Sequence, residues 1–164
     1  MKNNPATSDL TPRGKLREGG IHDLLGYQLA QAAIATSKSF SREVEIPHRL
    51  RPVEFTILQL IRENSEVTPT GLARALAITT PGITAWLDKL AQRGLILRAK
   101  SAMDGRTQKL KLTSEGDALA IHALELLLSA DQHITEHLTK GEQVILLELL
   151  RKIAIVRNIK VHSA

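Results

Sequence analysis

Apolar residues recur along this chain first with a helical period and later with a strand period. Between Ile21 and about Glu45, Leu24, Leu25, Leu29, Ala32 and Ala33 fall on one side at helical spacing and predict a long first helix. Pro47 and Pro52 bracket a break. Val53 to Glu63 predicts a second helix, with Phe55, Leu58, Leu60 and Ile61 as its apolar residues, and Asn64-Ser65 closes it in a turn. Thr68-Pro69 opens a short helix that runs to about Leu76, because a threonine can cap the free N–H groups and a proline suits the first turn. After the turn Ala77-Ile78-Thr79 the signal repeats in Thr79, Thr80 and Pro81, and the next helix runs to Arg93, where Gly94 suits a left-handed stop.

The period then shortens to two. Leu95 to Lys100 and Thr107 to Leu112 read as strands, with Leu110 and Leu112 facing one way and Lys109 and Lys111 the other, and Asp104-Gly105 marks the turn between them. Helical signals resume at Thr113-Ser114-Glu115-Gly116 and continue to about Leu138. Thr139 and Glu142 then form a capping box for a last helix reaching about Lys160.

Two short helices joined by a tight turn and followed by a basic hairpin form a winged helix-turn-helix, a unit that reads double-stranded DNA. The expected fold class is mainly α with a small β-hairpin wing, flanked by N- and C-terminal dimerisation helices. The last helix demands a partner. Val144, Ile145, Leu146, Leu147, Leu149, Leu150, Ile153, Ile155 and Ile159 cover nearly every side of it at about 100° per residue, more than a winged-helix core can bury. A second copy of the chain is the simplest cover, since two-fold dimers are the commonest oligomers. The chain therefore divides into a flexible arm (1–19), an N-terminal dimerisation helix (20–50), a DNA-binding domain (51–113) and C-terminal dimerisation helices (114–164).

Composition narrows the function. With 43% apolar but only 2% aromatic residues, the core must be built from aliphatic side chains, which favours packed helices. No cysteine is present, which excludes disulfides and thiolate metal sites. The first twenty residues lack the apolar stretch of a secretory signal and no apolar run reaches membrane-spanning length, so a cytoplasmic protein without a membrane partner is expected. The net charge of +5 is concentrated: from Pro81 to Thr113 seven basic residues face only Asp88 and Asp104. Such a patch is the electrostatic footprint of a nucleic-acid binder.

On a helical wheel Ile83, Trp86, Leu87 and Leu90 cluster, while Pro81, Thr84, Ala85, Asp88, Lys89 and Gln92 lie opposite, on the face expected to enter the major groove. Thr84 can reach a base edge or a phosphate and Ala85 a thymine methyl. Thr79 and Thr80, at the helix start, suit a phosphate, as does Lys89. Asp88 repels phosphate and is expected to position a basic neighbour. Trp86, the single tryptophan, is expected to pack. Arg106 at the wing tip suits a minor groove, braced by Asp104. Arg98, Lys100, Lys109 and Lys111 are expected to add to the phosphate-attracting field. His133 and His137 have a spacing that can hold zinc, but no third ligand accompanies them, so neither a metal nor a cofactor is assigned. No paired carboxylates, activated nucleophile or phosphate-cradling glycine loop supports an enzyme.

Three blocks, VEFTILQLIREN leading to VTPTGLARAL, TTPGITAWLDKLAQRGLILR, and DGRTQKLKLTSEG, resemble the MarR (multiple antibiotic resistance regulator) family of transcription factors. Asp104, Arg106, Leu112, Thr113 and Gly116 match the family's wing and the helix after it, while Ala85 departs, standing where members often carry arginine. The resemblance covers about residues 20 to 160. It implies a winged-helix dimer that binds palindromic operators, usually represses, and leaves DNA when it takes up a small molecule. It also implies an effector pocket between the dimerisation helices and the winged domain, for which Tyr27, Gln31, His48, Arg51 and Phe55 are the candidates here. Tyr27 suits a phenolic or carboxylate ligand and Arg51 an anion. A ligand-independent activator or architectural DNA-binding protein is the alternative reading.

Overall fold

In the computed structural model the described residues are 10–100 and 108–155. Helix α1 spans Leu25–Phe40. It runs on through a π-helical turn, Ser41–Glu45, into a last turn, Ile46–His48. The predicted helix thus starts later and ends later than its apolar stripe suggested. Pro47 does not end it but sits in its final turn, where the Ile46 N–H reaches back five residues to the Ser41 carbonyl. The chain breaks only at Arg49, which adopts a left-handed φ of 50°. The remaining elements are α2 (Pro52–Glu63), α3 (Pro69–Leu76), α4 (Thr80–Gln92), β1 (Ile96–Lys100), β2 (Gln108–Leu112), α5 (Ser114–Ile134) and α6 (Lys140–Ile155).

The expected caps are in place. The Thr68 side chain accepts from the Gly71 N–H at 3.1 Å, and Thr113 accepts from Gly116 at 3.0 Å. Gly94 takes the left-handed φ of 69° that ends α4. Strands β1 and β2 pair antiparallel with Ile96 opposite Leu112 and Arg98 opposite Leu110. Val67 adds a single bridging residue, its carbonyl accepting the Leu110 N–H at 3.0 Å, which moors the hairpin to the loop before α3.

One core holds the winged domain. Ile57, Leu58 and Ile61 of α2, Leu72 of α3, Ile83, Leu87 and Leu90 of α4, Ile96 and Leu110 of the hairpin, and Ala120 and Ala123 of α5 are all buried. Each large aliphatic side chain contributes about 1.5–3 kcal/mol on leaving water. Val44 and Leu50 extend this core to the end of α1. Helix α5 is tied to α2 by Gln59 Nε2 donating to the Ala120 carbonyl at 2.6 Å and by the Arg62–Asp117 pair at 3.0 Å.

Helix α6 behaves as its pattern predicts. It starts with the capping box, the Glu142 carboxylate accepting the Thr139 N–H at 2.7 Å, and Gln143 ties its first turn back to the Thr135 and Leu138 carbonyls. None of its described residues is buried: Val144 is 66% exposed, Leu147 52% and Ile155 64%. No helix among the described residues is long and apolar enough to cross a membrane.

The N-terminal segment, expected as an arm over residues 1–19, is described in part. Residues 1–9 lie outside the described part, but residues 10–24 have a defined course. Leu10 and Arg17 form an antiparallel bridge around a turn, and Gly19–Ile21 make one 3-10 turn. Glu18, only 8% exposed, anchors this segment to α1. Its carboxylate accepts the Tyr27 hydroxyl at 2.8 Å and meets His22 Nδ1 at 2.7 Å.

Candidate nucleic-acid interface

Helix α4 is built to present one face. Thr79 caps it, accepting from the Gly82 N–H at 3.4 Å, and Pro81 occupies its first turn. Ile83, Leu87 and Leu90 anchor its back in the core, which leaves the face read from the wheel, Pro81, Thr84, Ala85, Asp88, Lys89 and Gln92, exposed together with Thr80. Helix α3 crosses behind it, joined through Ala77, which holds a left-handed φ of 53° while its N–H bonds the Arg74 carbonyl at 3.2 Å.

The hydroxyl of Thr84 donates to the Thr80 carbonyl at 3.0 Å, which leaves its lone pairs to accept from a base-edge donor. Trp86 is half-buried against the core, and its ring carries two cations: Lys89 Nζ lies 4.7 Å from the centroid and the Arg51 guanidinium carbon 5.7 Å.

The hairpin cations differ from one another. Register puts Arg98 on the same face as the buried Leu110, turned towards α4, and its guanidinium bonds Asp88 at 2.5 Å. Asp88 thus braces a basic neighbour, and that neighbour belongs to the wing. Lys109 is paired with Glu66 and its side chain is mostly covered. Lys111 is exposed on the outer face beside Leu97. Period-two alternation could not reveal these two ion pairs, because they depend on the helix beside one strand and the loop beside the other. Asp104, Gly105 and Arg106 of the wing tip lie outside the described residues.

The five candidate effector residues fall into two groups. Tyr27 and Gln31 sit near the start of α1, where Tyr27 is engaged by Glu18. His48 ends its last turn, Arg51 caps α2, and Phe55 lies in the first turns of α2. His48 packs edge-on against His122 of α5, ring centroids 5.1 Å apart, and Phe55 packs against Phe40 at 5.8 Å. At about 1.5 Å per residue Tyr27 lies roughly 30 Å along α1 from His48, whereas Gln31 lies only about 14 Å from Phe40, the residue on which Phe55 packs. Sequence reasoning missed Glu18 as a partner for Tyr27, since a contact between an irregular segment and a helix leaves no periodic trace. His133 closes the last turn of α5, whereas His137 lies in the turn beyond it, off the helical spacing that zinc would use.

Comparison with known proteins completes the picture. A family model described as MarR family matches residues 50–107, which span α2 to the hairpin. The chain is 29% identical over 138 residues to the homoprotocatechuate degradative operon repressor of Escherichia coli, covering 84% of this chain and 93% of that one. Among solved structures it resembles the transcriptional repressor CouR bound to a 23-mer DNA duplex, with 34% identity, a TM-score of 0.78, and coverage of 85% of this chain and 98% of CouR. It also resembles CouR bound to p-coumaroyl-CoA, with 33% identity, a TM-score of 0.74, and coverage of 85% and 97%. With the winged fold, the exposed face of α4 and these likenesses in agreement, the chain belongs to the MarR family of transcriptional regulators.

Proposed function

We propose that this protein is a homodimeric repressor that binds a palindromic operator through residues 51–113 and is released by an anionic, aromatic small molecule. The observation that carries the DNA-binding part is the face of α4: seven exposed, mostly polar positions backed by three buried aliphatic anchors. Thr79, Thr80, Thr84, Ala85 and Lys89 are its contacts, Arg106 enters the minor groove, and Arg98 and Lys109 reach phosphates by exchanging Asp88 and Glu66 for them. Residues 20–50 and 114–164 form the dimer, supported by the uncovered apolar surface of α6. Such a protein works where the chromosome is, in the cytoplasm.

The effector class rests on two relatives. One is named as repressor of a homoprotocatechuate degradative operon and the other was solved with p-coumaroyl-CoA, and both names contain an aromatic acid. Tyr27, Gln31, His48 and Phe55 are the candidate effector residues, while Arg51, expected among them from sequence, lines the cationic groove beside α4.

Selection of bound duplexes from a random library tests this. The expected result is one enriched palindrome, with half-sites about one helical turn apart. Its occupancy should fall when aromatic acids or their coenzyme A thioesters are added. Binding without sequence preference would overturn the repressor reading.

A further inference from the structure

Beside the outer face of α4 the surface dips into a groove of about 380 Å³ lined by Arg49, Arg51, Glu54, Lys89, Gln92 and Arg93. Four cations line it against one carboxylate, and that carboxylate is already engaged. Glu54, 5% exposed, accepts the Arg51 N–H at 2.8 Å and lies 3.8 Å from the Arg93 guanidinium. The one acid nearby on α4, Asp88, is bonded to Arg98. The groove therefore carries an uncompensated positive charge.

Its cations are also held in place. Arg93 donates to the carbonyls of Arg49 at 2.8 Å and His48 at 3.1 Å, which locks the left-handed turn that projects Arg49. Lys89 and Arg51 both lie over the Trp86 ring, which restrains two long side chains that would otherwise lose rotamer freedom on binding. Preorganised cations suit a fixed anion, because less entropy is lost when it docks.

We infer that this groove binds a backbone phosphate of the DNA strand flanking the site that α4 reads, with Arg49, Arg51 and Lys89 as the contacting cations and Trp86 as the residue that positions two of them. The inference rests on the DNA-binding reading above. Lys89 lies roughly 13 Å along the helix from Thr80, close to the width of a major groove, about 12 Å. A helix whose first turns sit on base edges carries its far end out to the flanking backbone, where this groove opens. Arg51 thereby takes a DNA role in place of the effector role expected from sequence, and Arg49, which the sequence did not single out, joins it.

The test uses the full chain with Arg49→Asn, Arg51→Gln and Lys89→Gln, singly and combined, each checked for unchanged dimer mass and melting temperature. Affinity for the selected operator and for a scrambled duplex is measured from about 50 to 200 mM salt. The slope of log affinity against log salt should fall by about 0.9 for each phosphate that a variant no longer neutralises. The weakening should be equal on both duplexes, since phosphates carry no sequence information. Lys89→Gln, at an exposed position, keeps the test open should an arginine variant misfold. Unchanged slopes in all variants overturn the inference. Unchanged slopes combined with inorganic pyrophosphate binding to the wild type and not to the variants also overturn it, and move the groove to a small phosphorylated ligand. A wild type that binds no duplex overturns the regulator reading itself, so the two failures are distinguishable.

Discussion

Gly116 shows how tightly the base of the wing is assembled. A Cβ built on it would stand 1.9 Å from the Leu95 carbonyl oxygen, with other Leu95 backbone atoms at 2.9 and 3.2 Å. That same carbonyl accepts the Thr113 N–H at 3.1 Å, while the Thr113 hydroxyl donates to the Gly94 carbonyl at 2.7 Å. The helix start and the strand start are thus laced backbone to backbone, and only a glycine fits between them. Gly116→Ala should cost at least the 1–3 kcal/mol typical of overpacking, because backbone must move. A melting temperature within a degree of wild type would show that this junction is looser than the distances indicate. At the same scale, Glu18 and Tyr27 make a testable clasp. Hydrogen bonds from His22 and Tyr27 hold the Glu18 carboxyl below its ordinary range despite the opposing effect of burial, and the bond to Glu18 raises the Tyr27 phenol. A depressed carboxylate contributes stability above the ordinary carboxylate range and loses it as pH falls through its folded value. A raised phenol contributes below its ordinary value and loses it as pH rises through the raised one. The clasp should therefore hold across neutral pH and open at both extremes. A nuclear magnetic resonance titration of Glu18 should place its midpoint below that of free glutamate, and an ordinary midpoint would mean that the segment is not anchored there.

Among the elements, those closed by their own neighbours were legible. Helices α3 and α4 are readable because cap, proline and glycine signals lie within a few residues of the apolar pattern they bound. The exposed face of α4 follows from about 100° per residue alone. What escaped depends on distant partners. Val67 joins the hairpin with a single residue, too short for any period. Residues 10–24 are tied to α1 by Tyr27 donating to the Glu18 carboxylate and Gln28 donating to the His22 carbonyl. Alternation alone puts Arg98 and Lys109 in the open phosphate field, but cross-strand register turns one towards Asp88 and a neighbouring loop brings Glu66 to the other. Helix α6 was legible for the opposite reason: its apolar residues exceed what one chain can cover, and they are uncovered. Replacing Leu147 and Leu150 together by glutamate should weaken dimerisation by tenfold or more per side chain, at about 1.5–3 kcal/mol each. Sedimentation should then detect monomer at concentrations where the wild type is dimeric. A dimer of undiminished strength would remove α6 from the interface.

At the scale of the whole molecule, the winged domain shares one core with the end of α1 and with α5. The core runs without interruption from Val44 at the end of α1 through the hairpin to Ala123 of α5, and the Asp88–Arg98 pair couples recognition helix to wing. Trp86 stands at the junction of these parts, behind the reading face and beneath two of the groove's cations. It is also the only tryptophan of the 164 residues. All indole emission from this protein therefore originates at one spot, against the cations that would meet a phosphate. If operator phosphates enter the groove, that emission should shift on titration with duplex, and the native chain would report its own DNA binding without a dye, a label or an added mutation.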